Sequence, residues 1–268
     1  MPRSFEPLLL SAHNPSPMTG AGNNTYLLVG ECGATLIDAG VGEPQHLGDL
    51  ASALGGHRRL DAVLVTHGHR DHAGGAPAIA AAYPEAVFTK CPWPEEDAQY
   101  RVAWRSVGDG DVIVAADEPL TALHTPGHSP DHMAFLHQPS GTIFTGDLVA
   151  LGSSVMIHSS RGGDLRQYLG SLERLLALGP RRLLPAHGPA IDDPRTVLAG
   201  HLEHRRQRER QVLDALRAGH GSVQAIAESI YDGLAPALMQ AAQENVRAHL
   251  EKLRAEGLAA NENGRWTP

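Results

Sequence analysis

The chain has 268 residues, 42% apolar and 19% charged, with glycine and proline scattered without period; this excludes disordered, fibrous and collagen-like proteins and bounds it to one large domain with or without a small appendage. Thirty acidic against 22 basic residues give a formal net charge of −8, which repels a nucleic-acid backbone at long range and argues against a general nucleic-acid coat protein. Two cysteines, Cys32 and Cys91, exclude a disulfide framework, and no apolar run approaches the roughly 20 residues of a membrane span. The run Leu8 to Leu10 is too short for a signal-peptide core, so the expected location is cytoplasmic, with both thiols reduced.

In chain order, short β-rich runs alternate with helical periodicity, which predicts an α/β protein. Thr25 to Val29 and Thr35 to Ile37 flank the glycine-bounded turn Gly30-Glu31-Cys32-Gly33 and read as a hairpin. Ala62 to Thr66 is a continuous apolar run, hence a buried strand, and Ala76 to Ala82 reads as a helix ending before Pro84. Strand-length runs follow at Leu120 to Leu123, Met133 to Leu136, Thr142 to Thr145 and Arg182 to Leu184. Between the last two, Leu165, Tyr168, Leu169, Leu172, Leu175 and Leu176 share one helix face, capped by Asp164 and closed by Gly179-Pro180. Asp193-Pro194 opens a long polar helix reaching about Gly219, followed by two more helical segments and a tail ending in Trp266. These signals divide the chain into residues 1–194 and 195–268. Ten basic against nine acidic residues lie from Arg195 onward, so the acidity belongs to the first part.

Sixteen histidines, in a chain with four Phe and three Trp, need a reason. Thr66-His67-Gly68-His69-Arg70-Asp71-His72 packs three imidazoles and a carboxylate directly behind a buried strand. In an extended segment residues two apart point the same way, so His67 and His69 converge on one ion, while the turn into the next helix aims Asp71 and His72 at a second. A catalytic zinc takes three protein ligands plus water, so others must arrive from elsewhere. His128, Asp147 and His187 each follow a predicted strand, and functional residues of layered α/β folds collect at one sheet edge. His132, with Asp131 as an orienting carboxylate, reads as a residue that supports the ligands. Histidines such as His46, His57, His201 and His249 read as structural, and His158 is left open.

The pattern HxHxDH at 67 to 72 with His128, Asp147 and His187 resembles the metallo-β-lactamase superfamily over about the first 190 residues. The resemblance implies an αββα sandwich carrying two metal ions, usually zinc. His67, His69 and His128 would hold the first, Asp71, His72 and His187 the second, and Asp147 would bridge them. It further implies a dinuclear hydrolase whose two ions share a hydroxide, with Asp71 also placed to orient water or shuttle its proton. His69, where a glutamate would mark the di-iron redox branch, argues against that branch. Asp147, where many true β-lactamases carry a cysteine or small residue, makes antibiotic hydrolysis a weak expectation. Gly22 to Leu28, Pro126 to Met133 and Pro185 to Pro189 resemble the β-lactamase-like protein 2 group more narrowly. His201 to Arg217, Ser222 to Tyr231, Met239 to Glu256 and the strand-like Leu258 to Ala260 are similar to the small, mainly helical winged-helix domain of that group.

Within that group the resemblance implies either endoribonuclease action on single-stranded RNA or release of an acyl chain from a carrier protein by thioester cleavage. For RNA, Arg205 and Arg208 share a helix face with His201 and His204, and Arg206 and Arg210 lie nearby; Glu203, Glu209 and Asp214 dilute the patch, and stacking aromatics beyond Trp93 and Trp104 are scarce. For an acyl substrate, the loop after Asp147 offers Ser153, Ser154, His158 and Arg161 as contacts. The expectation is a thioester or ester hydrolase of a small or carrier-bound acyl group, with RNA cleavage as the alternative and no membrane partner. Glutathione-thioester hydrolysis ranks below these, because the tail lacks the helical substrate domain of glyoxalase II. A non-enzymatic DNA-binding or docking role for the tail, or a homodimer contact made by it, completes the alternatives.

Overall fold

The computed structural model describes residues 5–16, 19–31, 33–56, 58–152 and 154–268; Cys32, His57 and Ser153 lie outside the described residues. Two sheets form the centre. In the first, β1 (Leu8–Ser11), β2 (Asn24–Val29) and β3 (Gly33–Ile37) run antiparallel in turn, and β2–β3 is the expected hairpin. Helix α1 (Pro44–Leu54) then crosses to β4 (Arg59–Leu64), parallel to β3. Helices α2 (Arg70–Ala73) and α3 (Ala76–Ala82) lead to β5 (Val87–Lys90), and α4 (Pro94–Asp97) to β6 (Trp104–Ser106), both strands continuing the parallel half. In the second sheet β7 (Val112–Ala115), β8 (Glu118–His124), β9 (Met133–His137) and β10 (Thr142–Gly146) form an antiparallel meander. After α5 (Leu165–Leu178), β11 (Arg182–Pro185) joins parallel to β10.

Side-chain alternation with period two sorts these strands into three apolar layers. Tyr26, Leu28, Ile37 and Leu64 face Leu120, Met133, Phe135 and Phe144 between the sheets. The opposite faces, Leu27, Leu36, Val63 and Phe88 on one sheet and Leu123, Ala134, Leu136 and Ile143 on the other, are covered by α1 and α3 and by α5 respectively. Each sheet is thus buried on both faces, which is why its strands read as apolar runs rather than alternating ones. The result is the αββα sandwich. Helix α5 has the expected seams: Asp164 accepts from Gln167 N at 3.0 Å, and Gly179 closes the helix at φ 60°.

Helix α6 (Pro194–Arg217) starts where the sequence places the boundary, with Asp193 accepting from Thr196 N. Its first turns belong to the first core through Leu198 and Leu202, whereas Val212, Ala215 and Leu216 pack with α7 (Val223–Ile230) and α8 (Met239–Ala255). One continuous helix therefore enters both cores. The wing is a two-stranded hairpin, β12 (Ala260–Glu262) with β13 (Arg265–Thr267), turning on Asn263 and Gly264 at φ 52° and 85°. The strand expected at Leu258 to Ala260 is shifted toward the C-terminus, because the Asn-Gly pair sets the register. Among the described residues no helix is long and apolar enough to cross a membrane.

Candidate metal centre

The strand ends at β4, β8, β10 and β11 meet at one edge of the sandwich. Beyond β4 the chain stays extended through Val65, whose N–H reaches the Thr89 carbonyl, so His67 and His69 project to one side. Helix α2 starts at His69 and turns the chain, sending Asp71 and His72 to the other side. Donor atoms of His67, His69 and His128 lie within 4.8 Å of one another, and so do those of Asp71, His72, Asp147 and His187. All seven expected ligands are thus brought together in two neighbouring groups.

Asp147 joins the groups. Its Oδ2 stands 3.5 Å from His128 Nε2, while its Oδ1 stands 3.3 Å from His72 Nε2 and 3.2 Å from His187 Nε2. His69 Nδ1 lies 3.0 Å from Nε2 of both His67 and His128. Ligands bonded to a tetrahedral zinc at about 2.0–2.1 Å stand about 3.3 Å apart, so these spacings are those of donors sharing an ion. Asp147 Oδ1 is buried without a hydrogen bond of good geometry, which is unfavourable for a carboxylate unless a cation takes the lone pair. The residues present therefore fit two metal ions.

The electrostatics differ between the two groups: burial opposes charge on His72 and His187, but Asp147 outweighs it and raises both above the usual imidazole range, so the second group favours a positive charge, carried either by protons or by a cation in their place. Burial, reinforced by His72, His69 and His128, holds His67 well below the usual imidazole range, and burial with His128 brings His69 to about 2. Both rings are neutral, as a metal requires. For Asp147 burial opposes ionisation, but His72 and His187 outweigh it and keep the carboxylate charged. The ring of His72 is fixed by Asp38, whose Oδ2 lies 2.8 Å from Nδ1 and whose Oδ1 accepts from Thr66 N at 2.7 Å. Asn23 Nδ2 donates to Asp71 Oδ2 at 3.1 Å.

His132 and Asp131, the residues expected to support the ligands, bond to the chain beside them. His132 is fully buried, and its Nε2 accepts from Asp147 N at 3.1 Å, so the proton sits on Nδ1 and faces Thr125 Oγ1 at 2.9 Å. Burial brings its pKa to about 3, which keeps Nε2 free to accept. Asp131 Oδ2 accepts from Gly68 N at 2.7 Å, and Oδ1 accepts from Ser129 Oγ at 2.8 Å. It thereby ties the turn between His67 and His69 to the residue beside His128. Gly127 is needed for this approach: at φ 130° a Cβ there would lie 2.2 Å from Tyr168 N, on the backbone of α5.

Four residues escaped the sequence reading. Asp38 and Asn23 occupy strand ends facing the site, the same signal that identified Asp147. Thr66 reads in the sequence only as the end of a strand. Lys90 gave no signal, since a lysine in a short strand reads as exposed. It is fully buried, with Nζ 3.0 Å from Asp131 Oδ2, 2.5 Å from Asp97 Oδ1 and 2.6 Å from the Cys91 carbonyl. Asp97 in turn accepts from Trp93 N at 2.9 Å, and the Trp93 ring lies 6.3 Å from that of His69.

Of the expected substrate contacts, Ser153 is outside the described residues. Ser154 is exposed and lines an open cavity of about 370 Å³ with Ala150, Leu151, His201 and His204. His158 is half-buried within electrostatic range of His128, and Arg161 is exposed in the adjoining 3-10 turn Ser159–Arg161. The arginine face considered for RNA is turned inward. Arg205 is 3% exposed, Arg208 lies 4.2 Å over the Tyr231 ring, and His201 Nε2 bonds the Ala150 carbonyl at 3.1 Å. Outward-facing Arg206 and Arg210 sit 3.9 and 2.9 Å from Glu173 and Glu203.

The metallo-β-lactamase superfamily model matches residues 18–187, and the β-lactamase-associated winged-helix domain model matches residues 222–266. The chain is 33% identical to a β-lactamase-like protein 2 homologue of Drosophila melanogaster, over 91% of this chain and 86% of that one. It is 36% identical to an atrochrysone carboxyl ACP thioesterase of Aspergillus fumigatus, over 76% of this chain but only 62% of the thioesterase. The structure of a metallo-β-lactamase family protein from Thermus thermophilus superposes with TM-score 0.81 at 23% identity, covering 97% and 98% of the two chains. A second structure, in a di-iron-bound form, matches with TM-score 0.56 at 30% identity over 75% of this chain and 97% of that one. With its sandwich, its ligand-bearing strand ends and its winged-helix tail, the chain belongs to the metallo-β-lactamase superfamily and is a hydrolase of that superfamily.

Proposed function

We propose that the protein is a dinuclear, zinc-dependent thioester or ester hydrolase acting on a small or carrier-bound acyl group. The observation that carries this is the division of Asp147 between the two donor groups, with one oxygen toward His128 and the other toward His72 and His187. His67, His69 and His128 would hold one ion and Asp71, His72 and His187 the other, with Asp147 shared. Two such cations supply a nucleophilic water of lowered pKa and a Lewis acid for the developing oxyanion. The chain's own residues orient that chemistry. Asp71 has the most exposed side chain of its group, at 26%, and Asn23 holds its Oδ2, so its carboxylate can position water and carry a proton at the mouth of the site. Trp93, with its ring 6.3 Å from that of His69, His158, within electrostatic range of His69 and His128, and Arg161 in the adjoining turn are proposed to contact substrate.

An acyl substrate is favoured over RNA because, of the residues considered as a strand guide, Arg205 is buried and Arg208 lays its guanidinium on the Tyr231 ring. The thioesterase relative supports the same choice. The test measures initial rates on an acyl thioester and on a short unstructured RNA, side by side, for zinc-loaded wild type and Asp71→Ala. Thioester turnover that the variant loses is the expected result. RNA cleavage abolished by Asp71→Ala, with no thioester turnover, would replace the substrate assignment with the nucleic-acid one. Full thioester turnover by protein that holds no metal would overturn the mechanism.

A further inference from the structure

Among the described residues between Asp147 and α5 no strand ladder forms, and side chains from α6 and α8 bond to this segment. His201 Nε2 donates to the Ala150 carbonyl at 3.1 Å. One Nη of Arg205 donates to the Val155 carbonyl, and the other donates to Asn245 Oδ1 at 3.2 Å. The same Asn245 oxygen faces Ile157 N at 3.5 Å, and Glu244 Oε2 accepts from Ser160 N and Oγ at 3.3 and 2.9 Å. The Arg205 guanidinium also lies 5.2 Å over the ring of Tyr168, whose hydroxyl donates to the carbonyl of Leu148, next to Asp147.

Met156 sits between the two residues that Arg205 and Asn245 hold. Its carbonyl lies 2.8 Å from His128 Nδ1, so the ring donates there, the proton is fixed on Nδ1, and the Nε2 lone pair faces His69 and Asp147. The geometry points to a clamp: the C-terminal helices hold segment 155–160, and Arg205 and Asn245 are positioning residues that set the orientation and tautomer of His128. The charge of Arg205 serves a backbone carbonyl and a neighbouring side chain, and the winged-helix unit acts as part of the metal centre's scaffold. This rests on His128 being a metal ligand, as proposed above. Partners behind a liganding histidine typically govern about 10–100-fold in metal affinity.

The test titrates full-length, metal-free protein with zinc against a chelating dye, for wild type, Arg205→Met, Arg205→Lys and Asn245→Ala, alongside melting curves and imidazole nitrogen NMR. Arg205→Met is expected to weaken one zinc site about 10–100-fold and to lose the fixed Nδ1–H tautomer of His128. Arg205→Lys should fall between it and wild type, because an ammonium can reach the Val155 carbonyl or Asn245 but cannot fork to both. A purely structural role would lower the melting temperature and leave zinc affinity and tautomer untouched, and that outcome overturns the clamp. Should Arg205→Met fail to fold, Asn245→Ala decides, since it leaves the Arg205 guanidinium its bond to the Val155 carbonyl. Wild type that takes up no zinc refutes the metal centre and the clamp together, whereas two tight zincs in wild type and variants alike refute the clamp alone.

Discussion

Lys90→Met tests how far the framework beneath the metal centre rests on a buried charge. The ammonium lies between Asp131, which is fully buried, and Asp97, and removing it strands the Asp131 carboxylate with only Gly68 N and Ser129 Oγ as donors. Breaking a buried pair from one side costs about 3–5 kcal/mol, because the remaining charge keeps its desolvation penalty. Methionine fills the aliphatic volume, so the loss is electrostatic rather than a cavity. Urea unfolding of the metal-free protein is the assay, with the slope of the transition as a check that the unfolded state is unaltered. Adding Asp131→Asn to Lys90→Met removes the stranded charge and should recover about half of the loss or more, giving a large coupling energy in the double-mutant cycle. A single-variant loss below about 1 kcal/mol with unchanged slope, or strictly additive effects of the two changes, would show that the pair is not what holds Gly68.

Three further outcomes follow from the same geometry. Gly127→Ala should destabilise the first domain by about 3 kcal/mol or more, since its Cβ would meet the α5 backbone at φ 130°; a melting temperature equal to wild type would contradict the close approach. His46 is buried with its pKa brought to about 4 by burial and His13, so the unfolded chain takes up that proton first: its contribution is intact above about pH 6.5 and falls by up to about 3 kcal/mol as pH drops toward 4. A His46→Gln variant should show the shallower pH dependence, and parallel stability curves for the two proteins would refute the assignment. Asp147→Asn keeps the shape but removes the shared charge, and should lower zinc stoichiometry and cut turnover about 100-fold or more, as read by metal analysis of the purified protein beside the rate.

The candidate ligands are legible because two independent signals coincide at them. An apolar run ends, and a residue able to bind metal stands within a few positions of the end, as at His67, His128, Asp147 and His187. Strands buried on both faces make the runs conspicuous, and Gly and Pro mark where they stop. The edges were less legible. Strand β1 was passed over as a short apolar run, β5 carries a lysine, and β7 exposes Val112 and Val114, so none shows a clean period. Helix α1 buries His46, Leu50 and Leu54 at four-residue spacing, but His46 and Gly48 dilute the apolar stripe.

The deeper gap concerns polar residues inside the fold. Helical spacing correctly groups His201, Arg205 and Arg208 on one face, yet spacing cannot say which way a face turns, and a row of cations read alone points outward. Here the face is turned inward because its neighbours satisfy it: the Val155 and Ala150 carbonyls accept, and the Tyr168 and Tyr231 rings take the guanidinium planes. Lys90 follows the same logic, its two carboxylates arriving from seven and forty-one positions away in the chain. A buried charge is stable only where its partner is supplied in place: for Lys90 the partner Asp131 is the residue that holds Gly68 N, and for Arg205 the partner Val155 adjoins Met156. The residues that are hardest to read are therefore those that hold the segments behind the site, Lys90 within the sandwich and Arg205 from the C-terminal helices, and changing them tests the site from behind without touching any proposed ligand.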